Sequence, residues 1–193
     1  MEAFLVSTGL VALAEIGDKT QLLAFLLAAR FRRPVPIVAG ILVATLLNHA
    51  GAGALGAWIT AQVPAGVMRW VLGLGFVAMG LWTLVPDQID EEEEGGKGLR
   101  LGVFGTTVVA FFLAEMGDKT QIATVALAAQ FHSLLAVVAG TTLGMMIANV
   151  PAVLVGERLA HRIPVRLVHA LAALIFIVLG VLVLAGLAQA WGL

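Results

Sequence analysis

Along this chain the apolar positions neither alternate nor keep to one helical stripe; they form long runs separated by short polar breaks. Windows of about 20 apolar residues, the length of helix that crosses about 30 Å of hydrocarbon, predict six helices near residues 3–29, 35–60, 66–86, 101–130, 134–157 and 165–190. The connections are short except for residues 87–100, where Asp90-Glu-Glu-Glu-Glu94-Gly-Gly-Lys97 reads as a solvated linker. A weak gathering of cations at a pore mouth is the alternative use of that run.

The second half of the chain repeats the first. A shift from Phe4 to Phe104 carries through without gaps to Gly80 and Gly180, matching Leu27-Ala-Ala-Arg-Phe31 with Leu127-Ala-Ala-Gln-Phe131, Val38-Ala-Gly40 with Val138-Ala-Gly140, and Pro64 with Pro164. The expected organisation is a three-helix repeat over 1–86, an acidic cytoplasmic linker over 87–100 and a second three-helix repeat over 101–193. Because three is odd, the second copy enters the membrane from the opposite side. The expected fold is therefore all-α and integral to the membrane, with two inverted repeats and a midplane site where they meet.

Composition agrees with this and excludes much else. The chain is 61% hydrophobic and 12% charged, with a mean hydropathy of +1.04, far from the range of soluble domains. It has no cysteine, which rules out disulfides, thiolate metal sites and Cys nucleophiles. A formal charge of −1 gives no reason to expect nucleic acid. Glu2, Glu15, Asp18 and Lys19 are incompatible with a cleavable signal peptide. Arg30, Arg32, Arg33, Lys97, Arg100, Arg158, Arg162 and Arg166 fall on one side of the predicted topology and Arg69 on the other. The positive-inside rule then leaves both termini non-cytoplasmic. Trp58, Trp70, Trp82 and Trp191 lie near predicted helix ends, as interfacial belts require.

Each first helix carries one charged phrase, Glu15-Ile-Gly-Asp18-Lys19-Thr20 and Glu115-Met-Gly-Asp118-Lys119-Thr120. An ionisable side chain at the centre of a membrane helix costs roughly 2.5–3.5 kcal/mol on insertion scales, so six of them call for pairing or a ligand. On a continuous helix Glu15, Asp18 and Lys19 share one side. Gly17 and Gly117 allow either close helix approach or a local break that frees backbone carbonyls. An internal Glu15–Lys19 pair would leave Asp18 and Asp118 uncompensated. Four carboxylates against two lysines leave an excess of two negative charges, which one divalent cation or two protons would cancel, so that the two compete. Lys19 and Lys119 then serve proton coupling or charge balance. The oxygen-only donor set suits Ca²⁺, Mn²⁺ and Mg²⁺ rather than Zn²⁺ or Cu⁺.

Auxiliary candidates are Thr20, Gln21, Thr120 and Gln121, which on a continuous helix point partly away and bond the backbone or a neighbouring helix instead. Asn48, His49 and Asn149 are the others, His49 aligning with Asn149. Met145 and Met146 offer a soft contact favouring Mn²⁺, though methionine in such a helix is more often packing. Gly51-Ala-Gly-Ala-Leu-Gly56 spells a dinucleotide fingerprint with no strand before it, and like Gly140 and Gly144 it reads as close helix packing. His132, His161 and His169 sit at or near predicted helix ends without ligand spacing.

The doubled Glu-x-Gly-Asp-Lys-Thr phrase, one per repeat over nearly the whole chain, resembles the Gdt-type cation exchangers, relatives of the lysine-exporter superfamily. The resemblance implies exchange of Mn²⁺ and Ca²⁺ for protons, with bacterial members exporting manganese. It implies that Glu15, Asp18, Glu115 and Asp118 are the cation ligands, with Lys19, Thr20, Lys119 and Thr120 completing the signature. No prosthetic group is expected; the partners are a divalent cation, protons and lipid in the plasma membrane, and a homo-oligomer is compatible with the sequence. An exporter of a cationic amino acid, an intramembrane aspartyl protease built on Asp18 and Asp118, and a passive channel are the rival readings. The lysine beside each aspartate and the glutamate one turn away disfavour the shared-proton dyad a protease needs.

Overall fold

The computed structural model describes residues 1–85, 101–155 and 165–187. The predicted linker, with Lys97 and Arg100, lies outside the described residues, as do Arg158, His161, Arg162 and Trp191. The described residues form eight helices and no strand: α1 (Glu2–Glu15), α2 (Lys19–Phe31), α3 (Pro34–Gln62), α4 (Ala65–Thr83), α5 (Gly102–Glu115), α6 (Lys119–Phe131), α7 (Leu134–Val155) and α8 (Val165–Leu184). Of these, α3, α4, α7 and α8 are long and apolar enough to cross a membrane.

The main departure from the expected helices is that 3–29 and 101–130 are each two helices rather than one. α1 has 14 residues and α2 has 13, about 21 and 20 Å at 1.5 Å per residue, so neither alone matches a hydrocarbon core of about 30 Å. The break is set by the motif itself. Ile16 turns extended at φ −66°, ψ 114°, Gly17 takes φ +87°, and Asp18 becomes the N-cap of α2. Met116, Gly117 at φ +77° and Asp118 do the same between α5 and α6. A positive φ is the conformation that only glycine adopts without strain, and an aspartate N-cap suits the helix that restarts. Both short helices then end on a left-handed non-glycine residue, Arg32 at φ 52° and His132 at φ 51°. Pro34 opens α3 at a position where its missing N–H is harmless.

Packing is reciprocal between the halves. A Cβ added to Gly40 would lie 2.7 Å from Thr107 Cβ, and one added to Gly140 would lie 3.0 Å from Ser7 Cβ and 2.5 Å from the Phe4 carbonyl oxygen. So α3 lies against α5 and α7 against α1, each at a glycine that lets backbones approach. α4 and α8 run antiparallel, Gly80 facing the Ala173 carbonyl and Gly180 the Gly73 carbonyl. Between them the equivalent rings of Phe76 and Phe176 stack with centroids 6.4 Å apart. Gly53 packs on Leu134 and Val138, and Gly56 on the Val125 backbone, so the would-be dinucleotide motif is a helix contact. Buried hydroxyls of Thr83, Thr124 and Thr141 donate to carbonyls one turn earlier, which satisfies them where water is absent. Trp58, Trp70 and Trp82 are exposed.

Candidate cation site

The two breaks present their acids to each other. Glu15 ends α1 and Glu115 ends α5, both fully buried, while Asp18 and Asp118 cap α2 and α6 and are nearly so. One carboxylate oxygen from each of Glu15, Glu115 and Asp118 lies within 4.8 Å of the other two. Hard cations bind oxygens at about 2.1–2.6 Å, so opposite ligands stand about 4.2–5.2 Å apart; the cluster has the dimensions of such a site. It draws on both repeats, and Asp18 is not part of this closest group.

Because each helix is interrupted, Glu15 and Asp18 do not share a helical face as a continuous helix would require; the left-handed glycine redirects the chain between them. The same turn reverses the expectation for the threonines. Thr20 Oγ1 donates to Glu15 Oε2 at 2.7 Å, and Thr120 Oγ1 lies 3.1 Å from Glu115 Oε2 and 3.3 Å from Asp118 Oδ2. The Thr120 backbone N–H also donates to Asp118 at 3.3 Å. The other oxygen of each glutamate, Oε1, is buried with no hydrogen-bond donor among the described residues. Each glutamate is thus anchored by one oxygen and presents the other.

The lysines diverge. Lys19 Nζ lies 3.7 Å from Asp118 Oδ1, an ion pair between the repeats, whereas Lys119 Nζ donates to the Val85 carbonyl at 3.0 Å and lies 6.0 Å from the Trp82 ring centroid. The clustered carboxylates sit beside the Lys19 ammonium in a low-dielectric setting, where an uncompensated charge is expensive.

The glutamines fasten the breaks. Gln21 accepts from the Gly17 N–H at 2.9 Å and donates to the Ala148 carbonyl at 2.9 Å. Gln121 accepts from the Gly117 N–H at 2.7 Å and reaches Asn48 Oδ1 at 3.4 Å. Asn48 in turn donates to the Phe112 carbonyl at 3.1 Å. His49 is fully buried and neither ring nitrogen has a hydrogen-bond partner among the described residues. Asn149 donates to the Met145 carbonyl and sulfur at 3.1 and 2.9 Å, which occupies that thioether. Sequence reasoning passed over His169, whose Nε2 lies 2.8 Å from the Ile16 carbonyl. Its place near a helix end gave no sign that α8 reaches the first break.

Comparison with known proteins follows the same lines. A family profile described as "Divalent cation/proton antiporter GDT1" matches residues 3–91 and again 103–190. A "Putative manganese exporter" of Vibrio cholerae serotype O1 is 47% identical over 180 residues, covering 93% of this chain and 88% of that protein. The "GDT1-like protein sll0615" of Synechocystis sp. is 31% identical over 91% of this chain and 93% of its own length. The "Divalent cation/proton antiporter GDT1" of Saccharomyces cerevisiae is 27% identical over 92% and 81%. No solved structure matches. With its apolar helices the chain is a multi-pass membrane transporter, not an enzyme, and it belongs to the GDT1 family of divalent cation/proton antiporters.

Proposed function

We propose that this protein exports Mn²⁺, and Ca²⁺ as a second cargo, from the cytoplasm in exchange for protons. The observation that carries this reading is the cluster of Glu15, Glu115 and Asp118 oxygens within 4.8 Å, two of whose members keep a buried oxygen without a donor among the described residues. Deprotonated, the cluster accepts a divalent cation; protonated, it releases it, and this exclusion couples the two fluxes. Asp18 is the fourth ligand, contributed as the cation settles between the breaks. Lys19 of the first repeat balances charge at Asp118 of the second, and Lys119 serves proton coupling or charge balance in the second repeat. Thr20 and Thr120 hold the glutamates, while Gln21, Gln121, Asn48, His49 and Asn149 are auxiliary. The manganese preference is supported by the 47% identical Vibrio cholerae relative, which is named for manganese export.

The fold reading belongs to the same proposal: six spans as two inverted repeats, 1–86 and 101–193, joined by a cytoplasmic linker over 87–100, in the plasma membrane with both termini outside. The paired half-helices α1–α2 and α5–α6 each make one span, and the reciprocal glycine contacts support a two-fold relation.

The test is reconstitution in liposomes with an imposed pH gradient, comparing Mn²⁺, Ca²⁺, Mg²⁺ and lysine in one preparation. Glu15→Gln, Asp18→Asn, Glu115→Gln and Asp118→Asn are each expected to abolish Mn²⁺/H⁺ exchange in protein that still inserts. Normal exchange by Asp118→Asn contradicts the site; preference for lysine favours an amino-acid exporter; cation flux without proton movement favours a channel.

A further inference from the structure

The two breaks are chemically equivalent but are not covered alike. At the first, a Cβ on Gly17 would collide with Val165, and the His169 ring bonds the Ile16 carbonyl at 2.8 Å. A carbonyl oxygen only accepts, so the imidazole proton sits on Nε2. Val165 and His169 are four residues apart on α8 and therefore share one face. At the second break, the repeat-related residues Ala65 and Arg69 on α4 do not take these places. Among the described residues nothing lies within 4 Å of a Cβ on Gly117, and the Arg69 guanidinium instead lies 5.7 Å from the Trp70 ring centroid.

The covered side can be located. α4 and α8 are antiparallel, with Gly80 beside Ala173 and Gly73 beside Gly180, so the C-terminal end of α4 and the N-terminal end of α8 lie together. Lys119 bonds Val85 just beyond α4 at that same end. Both breaks are therefore held from the end at which α7 finishes and α8 begins, and among the described residues the contacts that equivalence would provide at the opposite end of α4 are missing at Gly117.

We infer that His169 is a positioning residue for transport: its bond to the Ile16 carbonyl latches α8 over the first break and keeps the cation cluster shut off from the side of the α7–α8 connection. The inference deepens the transport reading and rests on it for its functional meaning. The latch must release for the cluster to face that side. A break left with free carbonyls is suited to such a device, because an interrupted helix has acceptors that a continuous one has already spent.

The absence of cysteine makes the test clean. Val165→Cys is introduced as reporter and labelled with a membrane-impermeant maleimide in everted vesicles and in intact cells. With His169 present, labelling is slow; His169→Leu is expected to speed it about fivefold, the shift that loss of one hydrogen bond produces in a two-state equilibrium. His169→Gln, which keeps an N–H donor at similar reach, is expected to restore slow labelling. A role in packing alone does not distinguish Gln from Leu in this way. Equal labelling of the His169 and His169→Leu proteins, or a His169→Gln protein labelled as fast as His169→Leu, overturns the latch. If His169→Leu fails to insert, His169→Phe carries the same comparison. The readout needs no cargo: His169-dependent labelling in a protein that exchanges no Mn²⁺ refutes the cargo assignment and keeps the latch.

Discussion

Removing the Thr20 hydroxyl while keeping its shape tests whether the threonines set the cation site or merely fill space. Thr20 Oγ1 donates to Glu15 Oε2 at 2.7 Å, and both groups are fully buried. Thr20→Val is nearly isosteric, so packing is preserved and the lost quantity is one hydrogen bond to a carboxylate, about 1.5–3 kcal/mol in such settings. Glu15 Oε1 has no donor among the described residues, so the substitution removes the hydroxyl that anchors Oε2 and loosens that carboxylate. Losing an outer partner of a cation ligand typically weakens affinity about 10- to 100-fold, the same range as the hydrogen-bond energy. The expected result is an apparent KM for Mn²⁺ raised by that factor in proteoliposomes at fixed pH gradient, with the maximal rate much less affected. Thr20→Ser, which keeps the hydroxyl, stays within about threefold. Thr120→Val gives a smaller change, because its contacts of 3.1 and 3.3 Å are longer and shared between two acids. An unchanged KM in a correctly inserted Thr20→Val protein refutes the reasoning.

The remaining predictions address charge, packing and competition. Lys19→Gln removes the cation 3.7 Å from Asp118 and is expected to tighten Mn²⁺ binding at alkaline pH about tenfold, or about 1.4 kcal/mol; weaker binding by titration calorimetry argues that the lysine holds the acids in place instead. Gly140→Ala sets a methyl 2.5 Å from the Phe4 carbonyl oxygen and should cost about 1–3 kcal/mol in denaturant unfolding, whereas Gly9→Ala, with nothing within 4 Å among the described residues, is neutral or slightly stabilising. Acidifying the cargo-loading side should raise the KM for Mn²⁺ without lowering the rate at saturation, since protons and cation occupy the same oxygens; a fall in maximal rate alone speaks against direct competition.

The sequence by itself determined the membrane environment, the doubled architecture and the identity of the charged motif. Runs of about 20 apolar residues leave few alternatives to helices in lipid, and an ungapped match from Phe4/Phe104 to Gly80/Gly180 needs no coordinates. It also singled out Glu15, Asp18, Glu115 and Asp118, because buried charge without purpose is too costly to keep. Only the tertiary structure decided how those residues meet. Whether Gly17 marks a close helix contact or a break depends on a backbone angle that one residue type merely permits, and once φ became +87° every inference from helical periodicity across it lapsed. That is why Thr20 turns toward Glu15 rather than away, why Asp18 stands outside the closest group of oxygens, and why Lys19 pairs with the acid of the other repeat while Lys119 reaches Val85. His169 was illegible for a related reason: its partner is a backbone carbonyl exposed by the break, 153 positions away in the chain, and such a bond leaves no mark on side-chain spacing.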